Sequence, residues 1–165
     1  MNVREAVPSD LPKVLEIVNA AAEAYRGVIP ADRWHEPYMS AGELEAEIAA
    51  GVRFWVAEQG ELLGAMGIQD RGDVTLVRHA YVAPGTQRNG VGSLLLERLR
   101  RLTEKPLLIG TWADASWAIG FYRKNGFTVV QRDEKDQLLR KYWSIPARQI
   151  EESVVLADSD PAHWE

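Results

Sequence analysis

The chain has 165 residues, 46% hydrophobic and 26% charged, with a net charge of −5 and no cysteine. That length suits one domain with a full core, expected over residues 1–157 with 158–165 as an acidic tail. The missing cysteines exclude disulfides, thiolate metal sites and a cysteine nucleophile, and the acidic balance argues against nucleic acid as the main partner. Three scattered histidines (His35, His79, His163) have no metal-ligand spacing. No signal-type apolar segment and no run near ~18 apolar residues occurs. The expectation is a cytoplasmic protein with no metal and no membrane partner.

In chain order, Met1 to Val7 reads as a first strand. Ser9 is the expected cap of a helix to about Tyr25, with Leu11, Val14, Leu15, Val18 and Ala22 as its apolar stripe. Ser40 with Glu43 forms a capping box that opens a second helix through Ala50. Phe54 to Glu58 and Leu62 to Ile68 are strands joined at Gln59-Gly60, and Arg71-Gly72 leads into a β-type run from Val74 to Val82. That run stops at Pro84. A Gln-x-x-Gly-x-Gly turn (Gln87, Gly90, Gly92) follows, then an amphipathic helix. Pro106 to Trp112 reads as a strand buried on both faces, Asp114 to Asn125 as a helix stopped by Gly126. Phe127 to Gln131 and Ile150 to Leu156 are the last strands, around a charged helix from Glu134 to Tyr142. The order is β-α-α-β-β-β-α-β-α-β-β, an α/β (α+β) chain.

The strand-turn-helix at Val82 to Ser93 has the chemistry of a phosphate cradle. The first N–H groups of a helix lack intrahelical partners and carry the positive end of its dipole, and glycines let a ligand approach the backbone. Between Gln87 and Lys105 five cations (Arg88, Arg98, Arg100, Arg101, Lys105) face two anions, which suits a polyanion; Arg88 lies inside the loop itself. No Lys precedes Ser93, so this is no P-loop, and Leu95 stands where a dinucleotide fingerprint needs its third glycine.

What remains resembles the acetyl-CoA signature of the GNAT superfamily of N-acetyltransferases, Q/R-x-x-G-x-G/A after a strand ending in V-x-P. Ala118 to Phe127 resembles the family's second signature, A-x-x-F-Y-x-x-x-G-F, in the right order and one helix and one strand further on. The resemblance implies a central mixed, mostly antiparallel sheet of about seven strands flanked by helices. It implies acetyl-CoA as cosubstrate and direct attack by an amine in a ternary complex. Main-chain groups from Gln87, Arg88, Asn89, Gly90, Val91, Gly92 and Ser93 would hold the pyrophosphate. The pantetheine arm would lie along Tyr81 and Val82 like an added strand, where a strand N–H could stabilise the oxyanion. Tyr122 is the candidate acid for the departing thiolate, since a phenol with a pKa of about 10 matches its basicity. On that helix Trp117 and Phe121 are expected to pack on the sheet, with Ala118 and Tyr122 toward the cofactor. Family members often carry Asn where this chain has Ala115; Asp114 is a candidate cap there and Ser116 a candidate substitute.

The base is left open among His79, Asp70, Glu58, Glu36 and water. Alternation places His79 on the strand face opposite Leu76 and Arg78. The acceptor, a small-molecule or peptide amine, is expected against the segment from Tyr25 to Met39, with Trp34 and Tyr38 enclosing it and Glu36 attracting its charge. Tyr142 and Trp143 read as an opposite wall or as a contact in a homodimer. The alternative to an enzyme is a non-catalytic acyl-CoA-binding module.

Overall fold

The computed structural model describes residues 1–86, 90–161 and 164. Its elements are β1 (Asn2–Glu5), α1 (Leu11–Ala22), α2 (Ala41–Ala49), β2 (Arg53–Gln59), β3 (Glu61–Asp70), β4 (Thr75–Val82) and α3 (Val91–Arg101), then β5 (Leu107–Trp112), α4 (Ser116–Lys124), β6 (Thr128–Val129), α5 (Arg132–Tyr142), α6 (Ala147–Glu151) and β7 (Ser153–Ala157). The strands form one seven-stranded sheet in the order β1-β2-β3-β4-β5-β7-β6, the fold class expected. The chain divides into two compact units, Met1–Asp70 with Val77–Leu102, and Arg71–Leu76 with Thr103–Glu165.

In the first unit β1 pairs antiparallel with β2 (Val3↔Ala57) and β2 with β3 (Val56↔Ala65), with a bulge between Ala57 and Glu58. Gly60 closes the β2–β3 hairpin at a φ of +78°. Phe54, Val56 and Ala65 point to one face, where Val14, Ile17 and Val18 of α1 and Leu44 of α2 complete a core. Burial of one such side chain contributes about 1.5–3 kcal/mol. Neighbouring Gly64 points the other way. A Cβ there would stand 2.9 Å from Val91 Cγ1 and 3.1 Å from Leu95 Cδ1, so the missing side chain is what lets α3 lie close on β3.

Two helix starts differ in outcome. The box at α2 forms as expected: Glu43 N–H donates to Ser40 Oγ (3.1 Å) and Ser40 N–H to Glu43 Oε1 (3.4 Å). Ser9 does not cap α1. Residues Pro8–Asp10 form a 3₁₀ turn instead, in which Asp10 Oδ2 accepts from Val7 N–H (2.8 Å) while Arg4 holds the same carboxylate. The ion pair with β1 decides this, and Ser9 has no equivalent partner to offer.

In the second unit β7 lies between β5 and β6, antiparallel to both (Gly110↔Val155, Val129↔Leu156). Val74, Leu76, Leu108, Leu139, Tyr142, Ile150 and Val155 form its core. The last strands are shorter than expected. β6 keeps two residues, and Ile150 belongs to α6, whose N-cap is Pro146. Proline's fixed φ opens that helix, and Ile150 is its one buried residue, so its apolar character serves the helix rather than a strand. Buried Lys135 donates to the Ile150 carbonyl (2.8 Å), tying α5 to α6. β5 is buried only in its first half, and Trp143 lies across Gly110. Asp158 Oδ1 accepts from Leu107 N–H (2.9 Å), and Trp164 packs on the core.

Candidate functional site

The first unit holds the strand-turn-helix. Ala83 N–H still pairs with the Leu63 carbonyl (2.8 Å), after which Pro84-Gly85 turns the chain at a Gly85 φ of +89°. Thr86 secures this turn through its N–H (3.1 Å) and hydroxyl (2.6 Å), both on the Ala83 carbonyl; sequence reasoning passed over it. Gln87, Arg88 and Asn89 lie outside the described residues. Gly90 is the N-cap of α3, left-handed at a φ of +74°, and no side chain caps that end among the described residues. No described atom lies within 4 Å of where a Gly90 Cβ would stand. Val91 and Gly92 are buried and Ser93 is half-buried in the first turn. The arrangement leaves main-chain donors and a dipole end for an anion. It fits the pyrophosphate of a coenzyme A ligand, and α3 spans 11 residues.

Tyr81 and Val82 end β4, half-buried. The Tyr81 ring meets Tyr25 and Tyr38 edge-on, each at 6.3 Å between centroids, and its hydroxyl donates to Tyr38 Oη (3.3 Å). Trp34 tilts against Tyr38 at 5.6 Å. The 25–39 segment is thus joined to the end of β4 by a chain of rings, and Tyr38 and Tyr81 also pack on the core. Glu36 does not stand ready for an amine. It accepts from Trp34 Nε1 (2.7 Å) and from Arg26, and the same two groups hold its carboxyl below the usual carboxylate range.

The other base candidates divide. Glu58 is held by Arg4 and Asn2, which lower its carboxyl, Arg4 most. Asp70 ends β3, exposed. His79 departs from expectation: its φ of +56° breaks the alternation of β4, and it lies with Arg78 against Glu47 of α2. Glu47 was missed from sequence, because an acid on an amphipathic helix carries no signal of its distant partner.

In the second unit the expectation that Trp117 and Phe121 of α4 both pack inward fails at Trp117, while Phe121 is half-buried. Ala118 and Tyr122 are the buried pair, each 7% exposed, whereas Trp117 is 45% exposed. Small Ala118 one turn before Tyr122 gives that ring room to tuck inward, edge-on to Phe127 at 6.2 Å. The N-cap is Ala115, not Asp114, whose carbonyl accepts from Ser116 N–H (3.0 Å). Tyr142 is a core residue donating to Asp73 Oδ2 (3.2 Å).

Among the described residues no three His, Asp or Glu side chains gather to hold a metal ion, and no helix is long and apolar enough to cross a membrane. None of the curated proteins matches the sequence. The sequence model of the acetyltransferase (GNAT) domain matches residues 50–129. Similar solved structures include the PaiA N-acetyltransferase of Thermoplasma acidophilum in complex with coenzyme A (18% identity, TM-score 0.72, covering 96% of this chain and 98% of that one). A GNAT-family acetyltransferase from Staphylococcus aureus Mu50 gives 16% identity and a TM-score of 0.70 over 96% and 99% of the two chains. The ribosomal-protein-alanine N-acetyltransferase of Brucella melitensis gives 20% and 0.62 over 95% and 98%. At these identities the likeness is one of fold, and the acetyltransferase (GNAT) domain model matches the part of this chain from residue 50 to residue 129.

Proposed function

We propose that the chain moves an acetyl group from acetyl-CoA to the primary amine of a small molecule or peptide, by direct attack in a ternary complex. The observation that carries this reading is α3, the element that follows β4, which begins at a left-handed glycine with no side-chain cap among the described residues. Backbone N–H groups from Gln87 to Ser93 bind the pyrophosphate, with Arg88 adding charge. Tyr81 and Val82 align the extended arm at the strand end. Acetyl-CoA supplies an acyl group activated as a thioester. Tyr122, kept from solvent by its burial, holds the proton that the thiol regains. The rings of Tyr25, Trp34, Tyr38 and Tyr81 present an apolar surface to the acceptor.

Coenzyme A release from acetyl-CoA, followed with a thiol reagent against amines, amino acids and N-terminal peptides, tests the reading. Amine-dependent release is expected, with kcat lowered roughly 100-fold in Tyr122→Phe. Tight acetyl-CoA binding with no release for any amine would favour a binding module instead. Unchanged turnover in Tyr122→Phe at every pH would remove Tyr122 from its role.

A further inference from the structure

The segment between α1 and α2 is fixed near its ends and charged between them. Ile29 and Met39 are buried, and Asn19 of α1 clamps Met39 twice, donating to its carbonyl (2.9 Å) and accepting from its N–H (2.8 Å). Arg26 lies over the Trp34 ring, 4.6 Å from its centroid. Its Nε and Nη2 donate to the two oxygens of Glu23 (2.8 and 3.0 Å), and Nη2 also reaches Glu36 Oε1. Trp34 Nε1 donates to that same Oε1 (2.7 Å). One guanidinium therefore serves two carboxylates, and the group keeps a net negative charge.

What removes Glu36 from the base candidates fits it for another task. Held below the usual carboxylate range by Trp34 first and then Arg26, it is a weak proton acceptor at neutral pH but a fixed negative charge. An ionised carboxylate has two oxygens and about four sites for hydrogen bonds. Both bonds here go to Oε1. Oε2 has no hydrogen-bond partner among the described residues, and the side chain is 62% exposed. Anchoring through one oxygen lowers the entropy lost when the other meets a ligand. From Trp34 the rings continue to Tyr38 (5.6 Å) and on to Tyr81 near the end of β4 (6.3 Å), an apolar track that starts beside Glu36. Methylene groups gain by covering such rings, and an ammonium is drawn to their faces. The wider field agrees: residues 14–50 hold seven acids against Arg26 and Arg33, a net −5 equal to that of the whole chain.

We infer that Glu36 sets the specificity for the acceptor: its Oε2 accepts from the remote ammonium of an alkyl diamine, whose methylene chain lies along Trp34 and Tyr38 toward Tyr81. The acceptor class is then the linear di- and polyamines. An acceptor with a carboxylate at its remote end is rejected by like charge. This rests on the acetyl-transfer reading for the reaction itself.

Rates of coenzyme A release with tetramethylenediamine, pentylamine and γ-aminobutyrate test it. These chains match in length and end remotely in an ammonium, a methyl and a carboxylate. The native chain is expected to favour the diamine over pentylamine about tenfold in kcat/KM, with γ-aminobutyrate poorest. Glu36→Gln keeps an oxygen for Trp34 and Arg26 but loses the charge, and there the preference falls to about unity through the KM of the diamine. Glu16→Gln, an equal charge change on an exposed side chain of α1, leaves the preference in place. Equal use of diamine and pentylamine by the native chain overturns the inference, as does a preference that survives in Glu36→Gln or is lost equally in Glu16→Gln. Each of these leaves acetyl transfer standing. If no amine is acetylated, that reading fails separately, and calorimetry with tetramethylenediamine decides the site: binding lost in Glu36→Gln supports it, and no binding to the native chain, or equal binding to both, overturns it.

Discussion

Helices α2 and α3 belong to the same unit and begin in opposite ways. α2 closes its free N–H groups on itself through Ser40 and Glu43. α3 begins at Gly90 with no side-chain cap among the described residues, and its first turn carries no acid. A capped start gains stability and has little left to offer a ligand. An uncapped start next to a strand end forgoes roughly 1 kcal/mol and keeps its donors and dipole for an anion. The contrast separates a helix end built for the fold from one built for binding.

Three substitutions sharpen or break that contrast. The largest effect is expected from Gly64→Val, which sets a branched side chain 2.9 Å from Val91 Cγ1 and forces α3 off β3. It should lower stability by about 1–3 kcal/mol in urea titration and weaken coenzyme A binding with it; native-like values of both would show that the start of α3 does not depend on β3. Ser93→Glu should separate the two properties. A carboxylate in the first turn favours the helix by about 0.3–1 kcal/mol, yet repels phosphate, so the melting temperature rises while the coenzyme A Kd weakens about tenfold by calorimetry. Were affinity unaffected, the first turn of α3 would not be the phosphate site. Ser40→Ala should do the reverse on a smaller scale, losing about 1 kcal/mol of stability with coenzyme A affinity intact. A drop in affinity there would mean that α2 also contributes to binding.

The elements that were legible in the sequence depend on neighbours within a few positions. The Ser40/Glu43 box, the Gly60 hairpin and the helix stop at Gly126 each follow from local backbone chemistry, and each forms. The strand-turn-helix was legible for the same reason, because two glycines after a strand limit what the backbone can do. The features that were missed depend on distant partners. Ser9 lost the first helix to Asp10 because Arg4 on β1 reaches the latter. His79 lies against Glu47 of α2 at a φ of +56°, and no period-2 pattern announces such a break. Trp117 was expected to be buried on hydrophobic size alone, whereas Ala118 and Tyr122 are the residues of α4 that lie inside. Glu36 looked available until Arg26 and Trp34 were seen to hold it.

The two ends of the sheet have a consequence for the protein in concentrated solution. Its outermost strands are β1, with four residues, and β6, with two. β1 carries Arg4 and Glu5, which pair across to Glu58 and Arg53 of β2. A long, flat, apolar edge is a template on which a second chain can add strands, and short or charged edges deny it. Both borders are of the short kind, one guarded by ion pairs and the other too brief to hold a partner in register, so the sheet resists growing from molecule to molecule.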